Sequence, residues 1–276
     1  MKNILVATDF SPAAHNACLY GAQLAQAFNA RLILFSAYQQ IPVPVFETPA
    51  VLSADDIGRF AREQLVQEAA LINRGYALPL ETVCLEGLAT RGIMETAKKY
   101  DADVVITGMK QSDTGFRKLF GSTVTSLARH ASVPMIVVPE GVAYTTINGI
   151  AVASETDIGP DADQHRLDLL EEITAAFQAR LYIVRVAKGD YRYAQQSGNV
   201  PVRLLGRLRG QMPQYKCIEG KDIPDALNGF IQGYRIDMLA LQPHHHSFVE
   251  SWFVKSATRS VVFGVRVPLL ILPAVK

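Results

Sequence analysis

The stretch that decides the fold runs from Asp101 to Pro139 and reads DADVVITGMKQSDTGFRKLFGSTVTSLARHASVPMIVVP. It opens with the apolar run Val104–Ile106 and closes with a second one, Met135–Val138. Both runs are too short for a helix and rich in β-branched residues, which is typical of strands buried on both faces of a parallel sheet. Between them lie Gly108, a polar segment, and Gly121–Thr123, which begins a helical pattern. The stretch therefore predicts a strand, a loop, a helix and a second strand.

A strand, a glycine-containing loop and a helix N-terminus, in this order, form a shape that can bind an anion. The first-turn amides of a helix have no helical partners, and the helix dipole favours negative charge there. Ser122 and Thr123 stand where a hydroxyl group would donate to a phosphate or cap the helix, and the two roles are compatible. Most such units in α/β proteins bind nothing, so the shape alone leaves a purely structural role open.

The whole chain repeats itself after about 140 residues. AFNARLILF at residues 27–35 returns as AFQARLYIV at 176–184, and VCLEG at 83–87 returns as KCIEG at 216–220. SVPMIVVP at 132–139 corresponds to RVPLLILP at 266–273. A repeat of this length predicts two copies of one domain, which we place at residues 1–142 and 143–276. Strands alternate with helices in both copies, which predicts parallel sheets with right-handed crossovers.

Two motifs in the first copy resemble the universal stress proteins. Gly108, two residues, Gln111, nine residues and then Gly121-Ser122 match three of the four positions of that family's nucleotide loop, G-x2-G-x9-G-(S/T). Gln111 replaces the second glycine. ILVATDFSPAA at residues 4–14 is similar to the family's first strand, whose terminal Asp corresponds to Asp9. The resemblance extends over residues 1–140, and the second copy is a weaker match.

The resemblance implies a fold, a ligand and a site. The fold would be two tandem five-stranded parallel-sheet domains of strand order 3-2-1-4-5, of the adenine-nucleotide alpha-hydrolase-like type, with helices on both faces. Ligands of such sheets bind where the strand order reverses, beyond the carboxyl ends of the strands. The ligand would be ATP or a related adenine nucleotide, with Mg²⁺, acting in a stress-response sensor or regulator. The implied nucleotide-binding residues are Asp9, Ala37, Gly108, Gln111, Gly121, Ser122 and Thr123.

The second copy lacks the loop that this ligand needs. A gap-free alignment on Pro134 and Pro268 puts Gln242 opposite Gly108 and Lys255 opposite Gly121. Because glycine lets backbone approach a phosphate closely, these replacements predict at most one nucleotide per chain, in the first domain.

Composition narrows the class of protein further. Residues 1–142 carry 12 basic and 13 acidic residues, and 143–276 carry 15 and 13, so a nucleic-acid partner is not expected. No apolar run reaches the roughly 18 residues of a membrane span, and no signal-peptide pattern is present, which favours a cytoplasmic protein. The three cysteines are expected to be buried thiols without a disulfide. The adjacent His244–His246 do not have the spacing of a metal site, and none is predicted.

Two other functions stay open at this point. A ligand-independent interaction protein with vestigial crevices is the main alternative, because the side chain of Gln111 would close a phosphate-binding turn. A slow nucleotide hydrolase ranks last, since no general base or nucleophile pair is visible, and we expect no enzymatic activity.

The last strands of the two copies, Pro134–Pro139 and Pro268–Pro273, are short apolar sheet edges. We expect them to pair and make an intramolecular pseudo-dimer, and a further homodimer remains open.

Overall fold

The computed structural model describes residues 1–39, 54–110, 122–130, 133–154, 167–187, 200–241 and 266–273. The first half contains β1 (Asn3–Ala7), α1 (Pro12–Phe28), β2 (Arg31–Tyr38), α2 (Ala54–Gly75), β3 (Leu80–Glu86), α3 (Ala89–Lys99), β4 (Val104–Met109), α4 (Ser122–His130) and β5 (Met135–Pro139). The second half contains β6 (Gly149–Ala153), α5 (Asp168–Phe177), β7 (Arg180–Ala187), α6 (Val202–Arg207), a 3-10 turn (Arg209–Gln211), β8 (Gln214–Glu219), α7 (Ile223–Tyr234), β9 (Met238–Leu241) and β10 (Leu269–Ile271).

The ten strands form one sheet in the order β3-β2-β1-β4-β5-β10-β9-β6-β7-β8. Each half contributes five parallel strands, arranged 3-2-1-4-5 by their order in that half. The predicted α/β fold and strand order are therefore confirmed. The halves meet where β5 and β10 pair antiparallel, with Val137 opposite Leu269. This is the edge pairing that the sequence predicts, and it leaves neither apolar strand at an open edge.

Helices cover both faces of the sheet, and each face has its own apolar core. Helices α1, α2 and α5 pack on one face through residues such as Ala17, Leu65 and Leu170. Helices α3, α4 and α7 pack on the other face, for example through Leu127 and Leu227. Each core continues across the junction of the two halves. The continuous cores explain how the three residue pairs between β5 and β10 are supported by packing on both sides.

The start of α1 illustrates how local sequence fixes an element. Ser11 is the N-cap, and its hydroxyl accepts a hydrogen bond from the amide of Ala14, while Pro12 occupies the first helical position. Both choices suit a helix N-terminus, because the cap satisfies a free amide and proline has none to satisfy. The helix ends at Asn29, whose left-handed backbone (φ 49°) closes the last turn.

An aspartate ties down the amino end of the central strand in each half. The carboxylate of Asp103 accepts hydrogen bonds from the amides of Lys2 and Asn3, at 2.5 and 2.8 Å. In the second half Asp237 accepts from Asn148 and Gly149, at 2.7 and 3.0 Å. The two aspartates precede β4 and β9, which are equivalent strands. The repeat is thus preserved in its hydrogen bonds as well as in its topology.

Some expectations need correction. Gly108 is expected to end the fourth strand, and β4 runs one residue further, to Met109. Of the three cysteines, all free, only Cys18 is buried; Cys84 and Cys217 are partly exposed because they lie on the outermost strands β3 and β8.

Two further expectations concern the domains and the membrane. Strand β5 ends at Pro139 and β6 begins at Gly149, and the domain boundary at 142/143 stays a prediction. Among the residues that the structure describes, no helix is long and apolar enough to cross a membrane.

Candidate functional site

A cavity of about 340 Å³ opens at the carboxyl ends of β1, β2 and β4. Its walls come from the ends of these strands and from the first turns of α1, α3 and α4. We call this cavity the first-half crevice. It lies where α/β sheets bind ligands, because β1 sits between β2 and β4 and the chain leaves the sheet in opposite directions after β1 and β4. Its volume is in the range of small-molecule sites.

The turn from β1 into α1 forms one rim of the crevice. Asp9 Oδ1 accepts a hydrogen bond from the Ser11 amide at 3.0 Å, and Thr8 Oγ1 accepts from the Phe10 amide at 3.0 Å. Phe10 has a left-handed backbone, φ 62°, which is uncommon for a bulky residue. Such strained positions cluster at functional sites. Asp9 is exposed and lines the crevice, and its carboxylate also stabilises this turn.

Gly108 has a packing role that the sequence did not reveal. A β-carbon at this position would lie 2.5 Å from the carbonyl carbon of Ala13 and 2.7 Å from the amide nitrogen of Ala14. Strand β4 therefore approaches the first turn of α1 so closely that only glycine fits. Gly108 lies in a regular strand, so its importance comes from this close approach and not from a left-handed backbone.

Three helix N-termini converge on the crevice. Ala13 in α1, Ala89 in α3 and Thr123 in α4 all line it from the first turn of their helices. The positive ends of three helix dipoles thus point toward one cavity, and Lys110 adds a cationic side chain to its lining. This arrangement favours an anionic group at the mouth of the crevice.

Two buried threonines line the crevice, Thr8 and Thr107, and the Oγ1 of Thr8 accepts from the Phe10 amide. Thr107 is 5% exposed, and within the described residues its Oγ1 has no hydrogen-bond partner. Thr107 is hard to single out from the sequence because threonine is a good strand former and fits the run VVITG. The available signal was that Thr107 is the polar member of an otherwise apolar strand.

Four of the predicted site residues line the same crevice: Asp9, Ala37, Gly108 and Thr123. Ser122 is the first residue of α4, as expected, and only its backbone is described. Gln111 and Gly121 lie outside the described residues, as do Gln242, His244–His246 and Lys255 of the second half. The role of each residue in ligand binding stays a prediction.

Cys18 lies in α1, close to the crevice residue Thr8. The thiol of Cys18 is within hydrogen-bond reach of Thr8 and Glu68, and burial, reinforced by the Glu68 carboxylate, raises its pKa well above the ordinary value. His15 Nδ1 lies 2.7 Å from Glu68 Oε1 and links α1 to α2. A buried thiol with a raised pKa is a poor nucleophile. Within the described ranges, no three histidine, cysteine or acidic side chains lie close enough together to hold a metal.

The second half has bulkier side chains at equivalent positions. Strand register aligns Thr107 with Leu241, because each pairs with the last residue of its half's first strand. The same register aligns Ala37 with Val186. The first residue of α3, Ala89, corresponds to Ile223 at the start of α7. All three replacements put more apolar volume where the first half has its crevice.

A family model for the universal stress protein family matches residues 1–139. The chain belongs to the universal stress protein family. A universal stress protein of Methanocaldococcus jannaschii is 25% identical over 140 residues, which is 50% of this chain and 81% of that protein.

Solved universal stress proteins also resemble the structure. One from Archaeoglobus fulgidus DSM 4304 matches 98% of both chains with a TM-score of 0.71 and 14% identity, a likeness of fold. Another, in complex with cAMP, covers 51% of this chain and 98% of its own with a TM-score of 0.41 and 20% identity. That likeness is too low to assign its ligand to the present chain.

Proposed function

We propose that the first half of this universal stress protein binds ATP or a related adenine nucleotide, with Mg²⁺, and acts as a sensor or regulator in a stress response. The observation that carries the proposal is the first-half crevice, where Asp9, Gly108 and Thr123 surround one cavity beneath three helix N-termini. The preference for adenine rests on the resemblance to the family's nucleotide loop.

The chemistry of the lining suits the two ends of a nucleotide. The helix N-termini and Lys110 would receive the phosphates, since both favour negative charge. The apolar inner wall, which includes Phe35 and Ile93, would receive the flat base.

Calorimetric titration with ATP and Mg²⁺ tests the proposal directly. We expect one nucleotide per chain, with GTP and tripolyphosphate as comparison ligands that separate base recognition from phosphate binding. If the wild-type protein gives no binding heat at any accessible concentration, the proposal is wrong, and the ligand-independent interaction protein becomes the better interpretation.

We propose binding without catalytic turnover. Among the described residues that line the crevice, Asp9 carries the carboxylate that could act as a general base. One of its oxygens already accepts a hydrogen bond from the Ser11 amide. No described thiol is available there, because Cys18 is buried. A phosphate-release assay with saturating ATP should therefore show no turnover above a buffer control.

We also propose a cytoplasmic protein whose two halves act together as an intramolecular pseudo-dimer. The antiparallel pairing of β5 with β10 supports the pseudo-dimer. Sedimentation of the purified protein measures whether whole chains associate further, and cell fractionation tests the location.

A further inference from the structure

We propose that Thr107 contacts the nucleoside part of the bound nucleotide through its hydroxyl group and so helps to determine ligand specificity. This inference rests on the proposed function of the first-half crevice. It starts from an unusual feature: the Thr107 hydroxyl is buried, lines the crevice and has no hydrogen-bond partner among the described residues. A buried polar group without a partner destabilises the unliganded protein, which calls for a reason to retain it.

The position of Thr107 explains why the protein offers it no partner. It lies near the end of β4, in register with Ala7 of β1 on one side and Val137 of β5 on the other. Neighbouring strand residues in register present their side chains on the same face, so its nearest strand neighbours are apolar. The remaining open direction is the crevice.

The depth of Thr107 decides which part of a ligand it meets. The side chains that would attract phosphates, such as the exposed Lys110, lie at the mouth of the crevice. Thr107 instead shares the inner wall with Phe35 and Ile93, which are both at most 1% exposed. A group that fills this region needs an apolar body with a polar atom at its edge. A base or ribose fits that description, and a phosphate does not.

The second half provides an internal comparison. Leu241 occupies the register position of Thr107 and is 2% exposed. Leucine at this place leaves no polar group unsatisfied. The hydroxyl is thus found in the half with the crevice and is absent where bulkier side chains take the same positions.

The test uses Thr107→Val, which keeps the shape of the side chain and removes the hydroxyl, with Thr107→Ser as the matched control. Affinities for adenosine, AMP and ATP are measured by calorimetry on the full chain. We expect Thr107→Val to weaken all three by a similar factor, about three- to tenfold, because the lost contact is to the part that they share. Thr107→Ser should stay closer to the wild type. Adenosine analogues lacking the 6-amino or 2′-hydroxyl group then identify the contacted atom, since the correct analogue loses little further affinity in Thr107→Val.

Thermal unfolding distinguishes ligand contact from a structural role. Without ligand, Thr107→Val should melt at a higher temperature than the wild type, because an unsatisfied buried hydroxyl has been removed. With saturating ATP, its stabilisation by ligand should be smaller than that of the wild type. A hydroxyl bonded within the protein would lower the melting temperature when removed, which would overturn the assignment.

The remaining outcomes separate this inference from the proposed function. If the wild type binds ATP and Thr107→Val binds adenosine equally well, the role of Thr107 is wrong and nucleotide binding stands. If Thr107→Val weakens ATP but not adenosine, the contact is to the phosphates and the inference is also wrong. If the wild type binds no adenine compound, both proposals fail together.

Discussion

The equivalent strands β4 and β9 are alike where they begin and different where they end. Asp103 and Asp237 make the same pair of backbone hydrogen bonds before the two strands. At the carboxyl ends, Thr107 of the first half corresponds to Leu241 of the second. Among the described residues, these backbone hydrogen bonds are kept in both halves, while three lining positions of the first-half crevice carry bulkier apolar residues in the second. We therefore expect folding and ligand binding to depend on opposite ends of the same strand.

The largest expected effect comes from giving the first half the crevice residues of the second. The combined variant Ala37→Val, Ala89→Ile, Thr107→Leu adds apolar volume at three lining positions. We expect calorimetry to detect no nucleotide binding, because the base no longer has space. Circular dichroism and melting temperature verify that the variant is folded, and Ala70→Val at an exposed site serves as a control. A folded triple variant with wild-type affinity would show that the crevice is not the site.

A β-carbon at Gly108 tests the close contact between β4 and α1. Gly108→Ala should destabilise the protein by about 1–3 kcal/mol, since backbone atoms of Ala13 and Ala14 must move to accommodate it. It should also weaken nucleotide binding, because the same turn lines the crevice. Gly229→Ala is the matched control, as that glycine lies on α7 with no atom within 4 Å of an added β-carbon. The control should be neutral or slightly stabilising. Equal denaturation midpoints for the two variants would contradict the packing role.

We expect the two aspartates, Asp103 and Asp237, to contribute equally to the stability of the protein. Asp103→Ala and Asp237→Ala each remove a carboxylate that accepts two backbone hydrogen bonds. Each should cost about 1–3 kcal/mol of stability, and neither should change nucleotide affinity, because both lie at the amino ends of their strands. Chemical denaturation and calorimetry measure the two effects. A large loss of affinity in Asp103→Ala alone would mean that this end of the first half communicates with the crevice.

The smallest effect on nucleotide affinity is expected at Asp9. Two substitutions separate the contribution of its hydrogen bond from that of its charge. Asp9→Ala removes both the acceptor for the Ser11 amide and the negative charge. Asp9→Asn removes the charge but can still accept that hydrogen bond. We expect Asp9→Ala to weaken binding by about 0.5–1.5 kcal/mol, the worth of one ordinary hydrogen bond. If Asp9→Asn binds like the wild type, Asp9 acts by shaping the turn; if it binds like Asp9→Ala, the carboxylate itself contacts the ligand. Unchanged affinity in both variants would remove Asp9 from the site.

Much of the fold follows from the sequence because its information is local or repeated. Short β-branched runs predict β1, β4 and β5, and the serine–proline pair at residues 11 and 12 predicts the start of α1. The alignment on Pro134 and Pro268 needs no gap. Asp103 and Asp237, which make equivalent hydrogen bonds, are separated in sequence by the same number of residues as these two prolines. A repeat thus makes the topology of the second half predictable from the first.

The features that escaped prediction depend on contacts between distant segments. A β-carbon at Gly92 would lie 2.6 Å from the Phe35 ring, so these two residues must be chosen together. In the second half Ala226 stands at the position of Gly92 and Val184 at that of Phe35. The helix residue is larger there and the strand residue is smaller. Sequence alone cannot pair residues 57 positions apart without knowing that α3 lies on β2. For the same reason, the sequence could not show that the Thr107 hydroxyl lacks a hydrogen-bond partner among the described residues or that Gly108 packs against α1.

The pairing of β5 with β10 also determines how the protein responds to dilution. When two separate chains are joined through an edge strand, dilution separates them, and their melting temperature decreases as the protein concentration decreases. Here both strands belong to one chain, so each faces the other at a high local concentration that dilution of the protein does not change. The ten-stranded sheet therefore persists at the lowest protein levels in a cell, where a weak two-chain assembly would come apart.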